Sequence, residues 1–180
     1  MRQIVKIIPL FVILAAACGQ KPKDSDADQK KGAVSGEKVA LDFHIMSKCP
    51  FGVKVIQAIA PVLEKMGDRV DLKVHYIGRE KDGELTSMHG EPEVKGNILQ
   101  LCANEIGDND AWLTFLKCQF DEWRKIPDGW ESCAKTAKLD TGKMKACYEG
   151  EQGKELLKAS FKVSQDKRAT GSPTIFLAGE

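Results

Sequence analysis

The 180-residue sequence predicts one α/β domain. Two short runs with alternating apolar residues and a third, apolar run near the C-terminus predict strands. A long stretch with apolar residues at helical spacing lies between the second and third strands. The composition, 42% hydrophobic and 29% charged, is typical of a globular protein. The formal net charge of +1 indicates no basic surface for nucleic acid, so we expect no nucleic-acid partner.

The N-terminus, residues 1–18, predicts an export signal. Arg2 and Lys6 accompany an apolar run at residues 7–17 that is too short to span a bilayer. The run ends in LAAAC, which resembles a bacterial lipobox, so we expect Cys18 to be lipidated. The alternative is an ordinary leader that happens to contain this cysteine. The sequence therefore predicts a lipid-anchored protein of the bacterial cell envelope, facing the periplasm or the exterior.

The region after the leader predicts a tether and then the folded domain. Residues 19–38 are polar, charged and poor in apolar side chains, a composition typical of a solvated linker. Residues 39–45 alternate between apolar and other side chains and predict the first strand. We therefore expect the domain to occupy residues 39–180.

The first half of the domain predicts a strand, a helix and a second strand. Residues 50–66 carry apolar side chains at helical spacing, and Pro50 suits the first turn of a helix. Residues 70–76 alternate cleanly and predict the second strand. Cys49 is therefore expected at the junction between the first strand and the helix.

The second half predicts a helical block and a final strand. The block runs from about residue 92 to about residue 165, and the strand at 174–177 follows the turn Ser172-Pro173. This order predicts a thioredoxin-like fold with helices inserted between the second and third strands. A complete fold of this kind has a further strand and helix, so we expect a C-terminal truncation at Glu180. The alternative is a degenerate fold with an exposed sheet edge.

The six cysteines divide into groups with different expected roles. Disulfides persist outside the cytosol, so an exported protein is expected to contain them. Four cysteines lie in the helical block and are predicted to form structural disulfides, although the sequence does not choose among the possible pairings: Cys102, Cys118, Cys133 and Cys147. If Cys18 carries lipid, Cys49 remains as a free thiol.

The position of Cys49 predicts a reactive thiol. The start of a helix favours negative charge, and the thiolate is the nucleophilic form of cysteine. The alternative is an inert cysteine packed in the core. Ser172-Pro173 before the last strand predicts a cis-proline turn, which would offer the backbone of Ser172 to an extended substrate segment.

The segment from Ser87 to Cys102 carries a motif. It resembles the signature C-Q-H-G-x-x-E-C-x-x-N, followed by a further cysteine, of the gamma-interferon-inducible lysosomal thiol reductase (GILT) family. That family has a DsbA-like thioredoxin fold. Five residues match in register: His89, Gly90, Glu93, Asn97 and Cys102. Ser87 and Val94 stand where the family has cysteines, and their joint absence fits one missing disulfide.

The resemblance implies exchange or reduction of protein disulfides, with Cys49 as the nucleophile and Pro50, Ser172 and Pro173 in substrate docking. The family's second active-site cysteine is replaced by Gly52. Release of a mixed disulfide then requires an outside thiol. A second cysteine of the substrate would make the protein isomerase-like, and glutathione or another small thiol would serve as a resolving partner.

Three other functions have less support in the sequence. A catalytically silent thioredoxin-fold binding module, anchored to the envelope, is the main alternative. A peroxide-reducing protein is disfavoured because Met46 stands where such sites have threonine. A metal site is not predicted, because His44, His75 and His89 are scattered and no Cys/His pair has zinc-ligand spacing.

Overall fold

The computed structural model describes residues 38–180. The predicted leader, the predicted lipidation site Cys18 and nearly all of the predicted tether lie outside the described residues. The strands are β1 (Val39–Ile45), β2 (Val70–Tyr76), β3 (Arg79–Lys81), β4 (Glu84–Thr86) and β5 (Thr174–Leu177). The helices are α1 (Pro50–Met66), α2 (Glu91–Ile106), α3 (Asn109–Asp121), α4 (Trp130–Thr136), α5 (Thr141–Glu149) and α6 (Glu151–Asp166).

The main sheet has three strands in the order β2-β1-β5. β1 runs parallel to β2, with Phe43 opposite Val74, and antiparallel to β5, with Phe43 opposite Ile175. Two parallel strands joined by a helix, with the helical block before an antiparallel third strand, confirm the predicted α/β, thioredoxin-like class. Across residues 38–180, no helix has both the length and the apolar character that a membrane crossing requires.

A second, two-stranded sheet was not predicted. β3 and β4 form an antiparallel hairpin that turns at Asp82 and Gly83, both with positive φ, as the favoured two-residue hairpin turns require. Each strand has only three residues, and all three of β3 are exposed. Exposed strands of this length carry no alternating apolar pattern, and the sequence signal was therefore missing.

The core lies between the main sheet and the helices. On α1 the buried side chains Val53, Ile56, Ala60 and Leu63 recur every three or four residues and form one face. Val74 and Tyr76 of β2 are buried in the same apolar cluster. Burial of this face fixes where α1 begins, and hence where Cys49 lies.

The helical block contains two disulfides. Cys102 of α2 pairs with Cys147 of α5, and Cys118 of α3 pairs with Cys133 of α4. The structure therefore chooses one of the pairings that the sequence had left open. Both bonds lie within the inserted block.

The outer edge of β2 is covered by α6. The Ser160 hydroxyl accepts a hydrogen bond from the Tyr76 N–H at 2.7 Å, and the Ser164 hydroxyl donates to the Tyr76 carbonyl at 2.7 Å. Backbone groups at a strand edge need such partners when they are buried. Two serines one helical turn apart thus bind both backbone groups of Tyr76, the last residue of β2.

Candidate active site

Cys49 stands at the start of α1, as predicted. It is the N-cap residue, with extended backbone angles, and its carbonyl accepts the first helical hydrogen bond, from Val53 N–H at 3.0 Å. Pro50 occupies the first helical position, where no N–H is needed. Within residues 38–180, Cys49 is the cysteine that forms no disulfide, and it is 8% exposed.

The turn before β5 lies directly against this cysteine. The Ser172–Pro173 peptide bond is cis, and the Cys49 thiol donates to the Ser172 carbonyl oxygen at 3.5 Å. The thiol also packs in a small apolar cluster with Met46, Ile77 and Ala169. The fold therefore brings Cys49 and Pro50 next to the Ser172-Pro173 turn, which is more than 120 positions away in sequence.

Gly52, at the position of the family's second cysteine, is closely covered. A Cβ atom built on Gly52 would lie 2.6 Å from the Ser172 hydroxyl oxygen and 3.3 Å from Ile45 Cβ. The same hydroxyl accepts a hydrogen bond from the Met46 N–H at 3.0 Å, which fixes its direction. The Ser172 side chain therefore occupies space that a second cysteine would need.

The predicted signature residues lie beside the active-site loop, residues 46–49. Glu93 Oε2 accepts from Lys48 N–H at 3.1 Å, and Asn97 Oδ1 accepts from Ser47 N–H at 3.1 Å. His89 Nδ1 contacts Glu93 Oε2 at 2.6 Å, and Gly90 is the N-cap of α2 with a positive φ of 80°.

Ser47 and Lys48 were not singled out from the sequence. The Lys48 ammonium donates to the carbonyl oxygens of Arg124 and Ile126, each at 2.7 Å. Burial lowers the pKa of Lys48, an effect that the nearby Asp128 and Glu93 oppose. The only sequence signal for these two residues was their place directly before Cys49.

The remaining histidines lie on the main sheet. His44 and His75 face each other across β1 and β2 with ring centroids 5.1 Å apart. In the part of the chain that the structure describes, three or more His, Cys, Asp or Glu side chains nowhere gather as a potential metal site. The closest polar contact of the Cys49 thiol is with the Ser172 carbonyl.

Comparison with known families and proteins agrees with the sequence motif. The family model described as gamma interferon inducible lysosomal thiol reductase (GILT) matches residues 40–137, more than half of the chain. The "Gamma-interferon-responsive lysosomal thiol protein" of Arabidopsis thaliana is 31% identical over 132 residues, which is 67% of this chain and 52% of that protein. The chain thus spans about half the length of this curated relative.

Solved structures share the fold. MdbA, a thiol-disulfide oxidoreductase from Corynebacterium diphtheriae, aligns with a TM-score of 0.60 at 15% identity, over 86% of this chain and 79% of that one. The thiol-disulfide exchange protein alpha-DsbA2 from Wolbachia pipientis aligns with a TM-score of 0.58 at 11% identity, over 82% and 74%. At these identities the likeness establishes a DsbA-like thioredoxin fold.

Proposed function

The chain belongs to the gamma-interferon-inducible lysosomal thiol reductase family, and from this premise we propose that it exchanges disulfides through a single nucleophilic cysteine, Cys49. Family and fold indicate a thiol-disulfide oxidoreductase. One observation carries the finer proposal: the Cys49 thiol lies at the start of α1, 3.5 Å from the carbonyl of Ser172 beside the cis proline. The start of a helix stabilises nearby negative charge, as a thiolate nucleophile requires.

The first step forms a mixed disulfide. The Cys49 thiolate attacks one sulfur of a substrate disulfide, the substrate S–S bond breaks, and the other substrate sulfur leaves as a thiolate. Cys49 and the first substrate sulfur are then joined by a new S–S bond. Two sulfurs exchange partners, and no electrons are gained or lost overall.

The second step needs a thiol from outside the site. Gly52 carries no sulfur, and the Ser172 hydroxyl fills the adjacent space. If a second substrate cysteine attacks the substrate sulfur, it forms a new substrate disulfide and releases the Cys49 thiolate, which is isomerisation. If two molecules of glutathione or another small thiol attack in turn, the substrate is reduced and the small thiol is oxidised to its disulfide.

The substrate is proposed to be a protein that docks on the Ser172-Pro173 turn. An extended segment can form backbone hydrogen bonds with such a turn as an added strand. Phe51, directly after Pro50, is 66% exposed and offers an apolar contact next to the cysteine. Pro50, Ser172 and Pro173 therefore form the proposed docking surface.

The test is capture of the mixed disulfide. The full chain is incubated with glutathione disulfide, and separately with a disulfide-bonded protein, and adducts are located by mass spectrometry. Both the test chain and its Cys49→Ser control carry Cys18→Ala, so that this second thiol forms no adduct. We expect one adduct, at Cys49, that added reduced glutathione removes; the control should form none. If Cys49 forms no adduct in the native protein and reacts only after unfolding, the exchange function is wrong.

A second candidate is a binding module that keeps the fold without exchange. It is favoured by the burial of Cys49, which is only 8% exposed. The same experiment separates the two functions. A binding module would retain its partner in the Cys49→Ser variant and would form no mixed disulfide in the wild type.

We also propose that the protein is exported and anchored through a lipid on Cys18, which rests on the lipobox-like LAAAC sequence. The test is expression in a bacterium with labelled fatty acid, followed by membrane fractionation. Label and membrane association should both be lost in Cys18→Ala. Label that persists in the variant, or a wild type found free of membranes, would contradict the anchor.

A further inference from the structure

The backbone N–H groups of the active-site loop are held mainly by side chains from distant segments. Cys49 N–H bonds within the loop, to the Met46 carbonyl at 3.0 Å. The other three amides each donate to a side-chain oxygen: Met46 to Ser172 Oγ at 3.0 Å, Ser47 to Asn97 Oδ1 at 3.1 Å and Lys48 to Glu93 Oε2 at 3.1 Å. The path of the loop therefore depends on those three side chains.

Burial makes these side chains necessary. Met46 is 4% exposed and Ser47 is fully buried, so water does not reach this part of the loop freely. A buried N–H without a partner is strongly unfavourable. Neighbouring strands do not supply these partners, because the chain here leaves β1 and turns into α1. Oxygen acceptors from another element must enter the loop.

One face of α2 supplies two of them. Glu93 and Asn97 are four residues apart and so lie on the same side of the helix. Gly96 lies on that side as well, where a Cβ would be 2.7 Å from the Ser47 hydroxyl oxygen and would also collide with Ile126. The Glu93 carbonyl accepts from the Ser47 hydroxyl at 3.2 Å. This face of α2 is shaped to contact the loop.

Glu93 is itself held in place from the other side. Its side chain is fully buried, and its Oε1 accepts from the Ser87 hydroxyl at 2.6 Å and from His89 N–H at 3.2 Å. His89 Nδ1 contacts Oε2 at 2.6 Å. Both carboxyl oxygens are thus bound, and the carboxyl group has little freedom to leave the Lys48 amide.

We propose that Glu93 and Asn97 are positioning residues for Cys49. By binding the Lys48 and Ser47 amides they set the direction in which the chain enters α1, and so keep the sulfur against the Ser172 carbonyl. This proposal rests on the proposed function, because the reaction they serve is exchange at Cys49. The role of the signature segment is thus to hold the Ser47 and Lys48 amides, which neither the two disulfides nor the Ser172-Pro173 turn contact.

The sharpest variant is Asn97→Leu in the full chain. Leucine has nearly the same shape, and Asn97 Nδ2 has no hydrogen-bond partner among the described residues, so one hydrogen bond is removed and no second one is lost. The matched control is Tyr76→Phe, which removes another buried hydrogen bond, from Tyr76 Oη to Gln100 Oε1 at 2.7 Å. Asn97→Ser, whose hydroxyl is too short to reach Ser47 N–H, replaces the leucine variant if that does not fold.

Three quantities are measured: the melting temperature, amide hydrogen exchange at Ser47 by NMR, and the iodoacetamide reaction rate of native Cys49 against pH. We expect both variants to melt at a lower temperature. Only Asn97→Leu should lose protection at Ser47 and change the rate at which native Cys49 alkylates, by about threefold or more. An Asn97 variant whose profile superimposes on that of wild type would overturn the proposal, even if its melting temperature falls.

The alkylation measurement keeps this proposal separate from the proposed function. Iodoacetamide reacts with a thiol and requires no disulfide exchange. If wild-type Cys49 alkylates but forms no mixed disulfide with glutathione disulfide, the exchange function is wrong, while the comparison of Asn97→Leu with Tyr76→Phe still decides whether α2 positions the thiol.

Discussion

The inserted helical block and the active-site loop use cysteine in opposite ways. In the block, four cysteines face one another in pairs and form two disulfides that join α2 to α5 and α3 to α4. In the loop, Cys49 faces a peptide carbonyl, and hydrogen bonds to side chains hold the chain in place of a covalent link. The difference shows that paired cysteines link the helices of the block, whereas Cys49 is the unpaired cysteine of the described residues and the proposed nucleophile.

The largest expected effect is loss of the Cys102–Cys147 disulfide. Its ends are 45 residues apart, so Cys102→Ala/Cys147→Ala should lower the free energy of unfolding by about 4 kcal/mol, through the greater freedom of the unfolded chain. For Cys118→Ala/Cys133→Ala, with a separation of 15 residues, we expect about 3 kcal/mol. Urea denaturation measures both.

The same two variants test whether exchange at Cys49 is independent of the disulfides of the helical block. Their rate of mixed-disulfide formation at Cys49 should stay within about twofold of wild type, measured well below the urea midpoint. A disulfide variant that remains folded but loses exchange would show that the two regions are not separate.

A smaller effect is expected from acid. His44 is buried; its Nδ1–H donates to the Ser164 hydroxyl at 2.9 Å, because that hydroxyl gives its own proton to Tyr76, and its Nε2 has no partner among the described residues. Burial, together with the neighbouring His75, lowers the pKa of His44 from 6.5 to about 4. Folding thus favours neutral His44. Its contribution is complete above pH 6.5 and is lost as the pH falls towards 4, by up to about 3 kcal/mol.

The measurement is the free energy of unfolding at several pH values between these limits, for wild type and His44→Gln. The variant should show a flatter dependence, with a remainder from His75, whose pKa burial also lowers. None of the three histidines lies between residues 91 and 166, so the helical block contributes to this slope only near pH 4, through carboxylates with lowered pKa values: Glu91, Asp140 and Glu151. An unchanged slope in His44→Gln would place the acid-sensitive group elsewhere.

A second cysteine introduced at position 52 tests whether the active site can form a disulfide, as the helical block does. Gly52→Cys should destabilise the protein by about 2 kcal/mol, because the new side chain meets the Ser172 hydroxyl. Gly52→Cys/Ser172→Ala should recover part of this loss and, under mild oxidation, join Cys49 to the introduced cysteine more completely. Mass spectrometry of the oxidised chains measures the disulfide yield, with Ser172→Ala as the control. Equal yields in the single and double variants would refute the steric argument.

The smallest effect concerns the exposed Phe51. Phe51→Ala should slow exchange with a protein disulfide about threefold, because an apolar contact with the substrate is lost. Exchange with glutathione disulfide, which is too small to use that contact, should be unchanged. Equal slowing of both reactions would mean that Phe51 acts on Cys49 itself.

Much of the fold could be predicted from the sequence. Alternation identified β1 and β2, an apolar run after the Ser-Pro turn identified β5, and helical spacing identified α1 and the block. The order of these elements led to the thioredoxin-like class. The β3–β4 hairpin was missed because strands of three residues carry no periodic signal. The disulfide pairing was left open because spacing alone is compatible with several pairings.

The site was predictable in part, and the limit has a physical cause. Cys49, Pro50 and the Ser172-Pro173 turn were found because a helix start and a strand start are local features. The signature residues were found by resemblance, but their contacts with the Ser47 and Lys48 amides were not, since hydrogen bonds between residues 45 or more positions apart follow no sequence period.

The Ser172 hydroxyl covers Gly52, so the effect of a substitution at either position depends on the residue at the other. A cysteine at position 52 is unfavourable while the hydroxyl is present, and loss of the hydroxyl leaves the Met46 amide without its acceptor. Each single substitution is therefore expected to be unfavourable, and the pair removes the steric conflict while the Met46 amide still lacks its acceptor. The effect of a cysteine at position 52 thus depends on the residue at position 172, which is epistasis between two positions far apart in sequence.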